Sequence, residues 1–424
     1  MIRADLLLTR IGELATLDRG PIPRAGRRQR DLGVRRHAAL AVRDGRIAWI
    51  GSASAAAGAV RLVRGGERVD AEGGVVIPGL VDAHSHALFA GERSFELPWK
   101  AEGLSYAEVA RRGGGILATV RATRSASDRR LDQETVARLA RLERSGATTI
   151  EVKSGYALSH AGELRLLRRL RSIARRHAFD LVPTYLGAHA VPPDARGGRA
   201  GYVREIVERT LPAVARGRLA KFCDVFCEPG YFPVRDCERI LRAALRLGLG
   251  AKLHAEEFAW SGGARLAARL GARSVDHLLV SRPADHRALA RAGVTAVLLP
   301  ATPFTMRGAR PSPGRALVDA GVPVALGSDC SPNSWIDSMG LVLAHAVYGA
   351  GLDPAEAIVA ATVNAAHAVG AADRAGLLAV GRPADLLLYD LPTIASIPYR
   401  IGAEPAQIYR QGIRRSSSRV EPHL

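Results

Sequence analysis

The sequence predicts an α/β fold, a (β/α)8 TIM-like barrel with a small β-sandwich domain built from both chain termini. Three observations predict it. Eight short apolar runs alternate with helical stretches rich in Ala, Leu, Arg and Glu, the alternation of parallel β/α units. Nearly every run ends in a His, Glu, Lys or Asp, and in this fold functional groups project from the C-terminal ends of the strands. The residues flanking the alternating region read as strands and hairpins. On this reading residues 1–74 are the N-terminal part of the small domain, 75–376 the barrel, and 377–424 the rest of the small domain with a tail.

Along the chain, Asp5 to Thr9, Ala39 to Arg43 and Arg46 to Ile50 read as strands, the last two joined by an Asp44-Gly45 turn. The Arg-rich stretch from Arg19 to Arg36 joins strands of the small domain. The barrel runs follow: Val75 to His86, Thr148 to Lys153, Asp180 to His189, Lys221 to Glu228, Leu249 to Glu256, Ser274 to Leu279, Val294 to Thr302 and Pro323 to Cys330. The long, Gly-containing segment from Ala87 to Gly115 is expected to cover the barrel mouth. Gly381 to Asp385 leads into Leu386 to Asp390, a strand returning to the small sheet, and the tail from Arg414 to Arg419 is expected to be mobile.

Composition narrows the function. With 47% hydrophobic and 24% charged residues, the 424-residue chain is globular rather than disordered. No stretch approaches the roughly 18 uncharged apolar residues of a membrane span, and Asp5 interrupts any signal-peptide core, so a cytoplasmic protein without membrane contact is expected. Four Cys, at 223, 227, 237 and 330, make no disulfide framework. The net charge is +19, and 56 of the 60 basic residues are Arg. They are dispersed over helix faces, as at Arg138, Arg141 and Arg144, without an aromatic-and-basic motif, so no specific nucleic-acid partner is expected.

The chemistry lies at the strand ends. His84 and His86 are two apart on a strand and point to one face, so they can converge on one metal ion. His254 and Asp329 close two other runs and complete three neutral imidazoles and one carboxylate, a shell that suits a divalent transition metal and leaves a position for water. Such an ion lowers the pKa of bound water toward about 7. Glu257 stands three residues beyond His254 and can relay a proton to a leaving nitrogen, while His277 can orient the attacking water or stabilise an oxyanion. Cys330 beside Asp329 is not needed as a nucleophile. Lys153 is assigned a supporting role rather than that of a metal bridge.

Pro78-Gly79-Leu80-Val81-Asp82-Ala83-His84-Ser85-His86 resembles the first-strand signature of the amidohydrolase superfamily, and Gly381-Arg382-Pro383-Ala384-Asp385-Leu386 resembles its returning strand. Gly113 to Ile116, Glu151-Val152-Lys153-Ser154-Gly155-Tyr156, Gly187 to Pro193 and Thr362 to Ala366 resemble the imidazolonepropionase branch. The resemblance implies hydrolytic ring opening of 4-imidazolone-5-propanoate to N-formimidoyl-L-glutamate in histidine degradation, with one zinc or iron ion per chain. It places metal ligands on His84, His86, His254 and Asp329, and the acid/base pair on Glu257 and His277. It also places the carboxylate contacts on Arg93 and Tyr156, and sets His189 facing the ring carbonyl. A homodimer is expected. After Asp329 many members continue with an Asn, Pro, Gly run; here the order is Cys330-Ser331-Pro332-Asn333. The alternatives are another cyclic amidohydrolase or an aromatic-ring deaminase of the same superfamily and, more remotely, a non-catalytic basic binding protein on the same barrel.

Overall fold

The computed structural model describes residues 1–307 and 310–415. Eight parallel strands are hydrogen-bonded in sequence order: Leu80–Asp82, Ala147–Lys153, Asp180–Ala188, Phe222–Cys227, Gly250–Ala255, Ser274–His277, Thr295–Leu298 and Val324–Leu326. The first and eighth meet where the Ala83 amide donates to the Leu326 carbonyl at 3.2 Å, which closes the barrel. Asp82 reinforces that seam, accepting from the Ser328 amide at 2.9 Å and its hydroxyl at 2.6 Å. Every residue of the second, fourth, sixth, seventh and eighth strands is buried, as expected of strands covered on both faces.

The helices form because apolar residues recur on one face behind a capped start. In Asp128–Arg144 the Ser127 side chain accepts from the Arg130 amide, and Leu131, Thr135, Leu139 and Leu142 fall on the buried face. Arg138, read from the sequence as a helix-face surface residue, is buried on that same face. Its guanidinium stacks 3.5 Å over the Phe89 ring and donates to the carbonyls of Ala87 and Phe89, so it holds the root of the mouth loop.

The termini build a separate eight-stranded sheet. Ile2–Ala15 pairs with Val34–Arg43 on one side and with Val60–Asp70 and then Val75–Pro78 on the other; Leu386–Tyr389 continues from there. The expected sandwich is thus one continuous sheet folded over itself, with Leu8, Leu40 and Val42 packed into the same core as Leu386, Leu388 and Tyr409.

The sequence run Val75 to His86 divides into two strands. Val75–Pro78 belongs to the terminal sheet, and Leu80–Asp82 begins the barrel. Gly79 makes the crossing possible, since a Cβ there would collide with the Thr148 side chain. The Arg19 to Arg36 stretch does more than join strands. Its Arg24 amide donates to Asn364 Oδ1 at 2.7 Å, and Gln29 accepts from the Val324 amide, which seals the N-terminal end of the eighth strand. Arg414 and Arg415 lie in the strand Ile413–Arg415; the rest of the expected mobile tail lies outside the described residues.

Candidate metal centre and active site

The barrel gathers the proposed ligands from three strand ends. His84 and His86 follow the first strand, His254 sits within the fifth, and Asp329 lies just past the eighth. His86 Nε2 stands 3.1 Å from His84 Nε2 and 3.2 Å from His254 Nε2. Asp329 Oδ1 is 3.7 Å from His84 Nε2 and 3.6 Å from His86 Nε2. All four side chains are buried.

The protonation of these rings tests whether a metal fits. His84 Nδ1 donates to Asp276 at 2.6 Å and His254 Nδ1 donates to Asp224 at 3.1 Å. Burial holds His84 and His86 well below the usual imidazole pKa, so those rings are neutral. A neutral ring whose proton is on Nδ1 presents a bare lone pair at Nε2. The lone pair of neutral His84 therefore faces His86 Nε2, and His254 Nε2 and an Asp329 carboxylate oxygen crowd the same point. A cation resolves that arrangement, and the donor set of three nitrogens and one oxygen fits a transition metal.

Beneath the ligands lies a buried ionic network. Lys153 Nζ stands 2.8 Å from Asp224, 2.8 Å from Glu151 and 3.4 Å from Asp276. Lys252 Nζ is 2.8 Å from Glu151. One ammonium thus braces both carboxylates that orient ligand histidines, the usual outer support of a metal site. Lys153 is fully engaged in ion pairs, in keeping with a supporting role.

Above the shell, Glu257 and His277 are neighbours, with Oε2 3.7 Å from Nε2. Burial, reinforced by the charges of Asp329 and Glu228, pushes the Glu257 carboxyl well above its ordinary range, and burial lowers His277. Glu228 accepts from the amides of Glu257 at 3.2 Å, Phe258 at 3.1 Å and Ala259 at 2.5 Å, which fixes the turn carrying Glu257. His277 and Asp329 both adopt left-handed backbone, at φ of 76° and 53°, a strained conformation for non-glycine residues that clusters at functional sites.

His189 stacks on His86 with ring centroids 5.2 Å apart, and Tyr156 lies 5.2 Å from His189. His189 Nδ1 is 3.1 Å from the Gly155 carbonyl, an acceptor only, so that nitrogen carries the proton. Burial lowers the ring to about 3, so it is neutral. Its Nε2 therefore remains available as an acceptor. Arg93 is braced from within its own loop. Its Nε and one Nη2 hydrogen go to buried Glu96 at 2.7 and 2.8 Å, which leaves Nη1 and the second Nη2 hydrogen, 3.5 Å from Asn333 Oδ1, for a ligand.

Arg93, Tyr156, His189, Glu257, His277 and Asp329 line one inner cavity of about 40 Å³ with His86. Sequence reasoning missed Tyr106 and Asn333, which complete its walls, and Glu96, which braces Arg93. Glu96 carried a usable signal, a carboxylate three residues after Arg93 on the mouth loop; it also accepts from the Gly115 amide at 2.8 Å, tying the two ends of that loop together. Cys330 is fully buried and its thiol pKa is pushed up by burial, which removes it as a nucleophile. Cys223 and Cys227 are core residues.

A barrel that collects three imidazoles and a carboxylate at its strand ends, beside a buried acid and base, defines a metal-dependent hydrolase. The profile of the Amidohydrolase family matches residues 106–416. Imidazolonepropionase of Symbiobacterium thermophilum is 46% identical over 400 residues covering 94% of each chain, and that of Myxococcus xanthus is 43% identical over 95% of each. The chain belongs to the imidazolonepropionase family of the amidohydrolases. Among solved structures, an adenosine deaminase from Xanthomonas campestris with bound zinc superposes with a TM-score of 0.71 at 21% identity, covering 97% of this chain and 93% of that one. A 5-methylcytosine deaminase from Klebsiella pneumoniae gives 0.72 at 18% identity over 98% of both chains. These two show the shared fold.

Proposed function

We propose that the protein hydrolyses 4-imidazolone-5-propanoate to N-formimidoyl-L-glutamate, the ring-opening step of histidine degradation. The observation that carries the reading is a cavity that brings a guanidinium and a tyrosine together with His86, His254 and Asp329 of the converging shell, in a chain related over nearly its whole length to imidazolonepropionases. The structural neighbours with deaminase activity share the fold at 18–21% identity and support no second reading.

Water's oxygen joins the ring carbonyl carbon and the bond from that carbon to the ring nitrogen breaks. His84, His86, His254 and Asp329 would hold the metal, zinc or iron, which supplies polarisation of the carbonyl and a lowered pKa for water. Glu257 takes the proton from the attacking water and returns it to the departing nitrogen. His277 faces the developing oxyanion, and His189 Nε2 accepts from a ring N–H, fixing the ring's orientation. Arg93, braced by Glu96, and Tyr156 receive the propanoate carboxylate.

Elemental analysis of the purified protein should give one tightly held metal per chain, and chelation should abolish activity until metal is restored. Two metals per chain, or full activity after chelation, would contradict the single shell. Arg93→Ala should lower kcat/KM by roughly 10- to 150-fold on the natural substrate, the range for a lost hydrogen bond to a charged group. Equal losses on an analogue lacking the carboxylate would show that Arg93 serves the loop instead. The cytoplasmic location and the homodimer belong to the same proposal, and light scattering tests the latter.

A further inference from the structure

The mouth loop carries a cation that the ring-opening chemistry does not use. Lys100 is half-buried, and its Nζ lies 3.0 Å from Asn333 Oδ1 and 3.3 Å from the Asn333 carbonyl. The same Oδ1 is 3.5 Å from Arg93 Nη2. An amide oxygen therefore sits between a guanidinium and an ammonium. Glu96 balances only one of the two charges, and among the described residues no carboxylate lies within ion-pair distance of Lys100. Burial and the nearby Arg93 lower the Lys100 pKa, the mark of a cation short of a counter-charge.

The position of Asn333 sharpens the point. It lines both the inner cavity and an outer chamber of about 460 Å³, whereas Arg93 lines the inner one and Lys100 the outer. The inner cavity, about 40 Å³, is far smaller than the outer chamber. Tyr106, Glu257, Phe258 and Asn333 wall both spaces, and of these Asn333 is the one that spans Arg93 and Lys100.

We propose that Asn333 Oδ1 holds the place of a substrate carboxylate oxygen between Arg93 and Lys100, and that Lys100 is a specificity-determining residue which selects substrates with one carboxylate tail. The inference deepens the ring-opening reading and rests on it for the identity of the ring. On binding, the carboxylate displaces the amide oxygen and takes both cations, for a net exchange of a neutral acceptor for a charged one.

The test combines three variants with two readouts. Lys100→Met should raise KM for imidazolone propanoate about tenfold with kcat little changed, and should leave KM for an analogue lacking the carboxylate unmoved. Lys100→Arg should recover most of the loss. Asn333→Asp places a built-in carboxylate between the two cations and should raise KM as a competitor within the chain; a merely structural asparagine would leave KM alone. Calorimetric binding of glutarate, which needs no turnover, should weaken about tenfold in Lys100→Met. Unchanged KM and unchanged glutarate affinity in that variant, or an equal KM rise on the analogue, would overturn the proposal. Failure of the wild-type protein to open the imidazolone ring, with glutarate binding still dependent on Lys100, would overturn the ring-opening reading and leave the two-cation site standing.

Discussion

Glu257→Gln is expected to retain its metal and lose about 10²- to 10⁴-fold in turnover. The amide keeps the shape of the side chain and can still hydrogen-bond, but it cannot carry a proton from water to the leaving nitrogen. The geometry confines the loss to that relay. Glu257 is held by its own backbone, through the three amides that Glu228 accepts, so the side-chain change leaves the turn in place. Its carboxyl is 3.7 Å from His277 Nε2, close enough for His277 to substitute. Metal analysis alongside single-turnover kinetics checks the prediction. A variant with wild-type rate and full metal would move proton transfer to His277 or to solvent.

The proposed ligands His84, His86, His254 and Asp329 stood out in the sequence because their placement was regular. The His84/His86 pair has the two-residue spacing of a strand, although both fall just past the strand that ends at Asp82, and His254 and Asp329 close apolar runs whose number announced the barrel. What stayed hidden lacked a repeat. Glu96, Lys100 and Asn333 meet across 237 positions of chain between the first and last of them only because the mouth loop folds back over the eighth strand end. Arg138 looked like one more arginine on an Arg-rich helix until Phe89 was placed beneath it. The hydrogen bond from His189 to Gly155, which decides what its other nitrogen can do, depends on a few tenths of an ångström that no pattern of residue types encodes. The division of Val75 to His86 between two sheets was hidden for a further reason: both halves are buried and apolar, and only the Pro78-Gly79 step marks the crossing. Asp224 and Asp276 did carry a signal. A carboxylate inside a fully buried parallel strand must be paired, and here each pairs with a ligand histidine and with Lys153.

Lys153→Met is expected to cost about 3 to 5 kcal/mol of stability and to weaken metal retention roughly 10- to 100-fold. Both effects follow from the same three contacts. With the ammonium gone, Glu151, Asp224 and Asp276 remain packed inside the barrel with Lys252 as the one remaining buried lysine among them, so buried carboxylates lose their partner. Their mutual repulsion moves Asp276 and Asp224 away from His84 Nδ1 and His254 Nδ1, and the two rings that aim lone pairs at the metal lose their alignment. Stability alone would not separate this from ordinary core damage, so the comparison is with a charge-balanced double variant, Lys153→Met with Glu151→Gln. Removing one charge of each sign should restore part of the thermal stability. Metal retention during dialysis against a chelator should stay impaired, because Asp224 and Asp276 still lack the cation that braces them. If the double variant recovered both properties together, the network would be a packing device, and the aim of the ligand histidines would have to come from the strands alone.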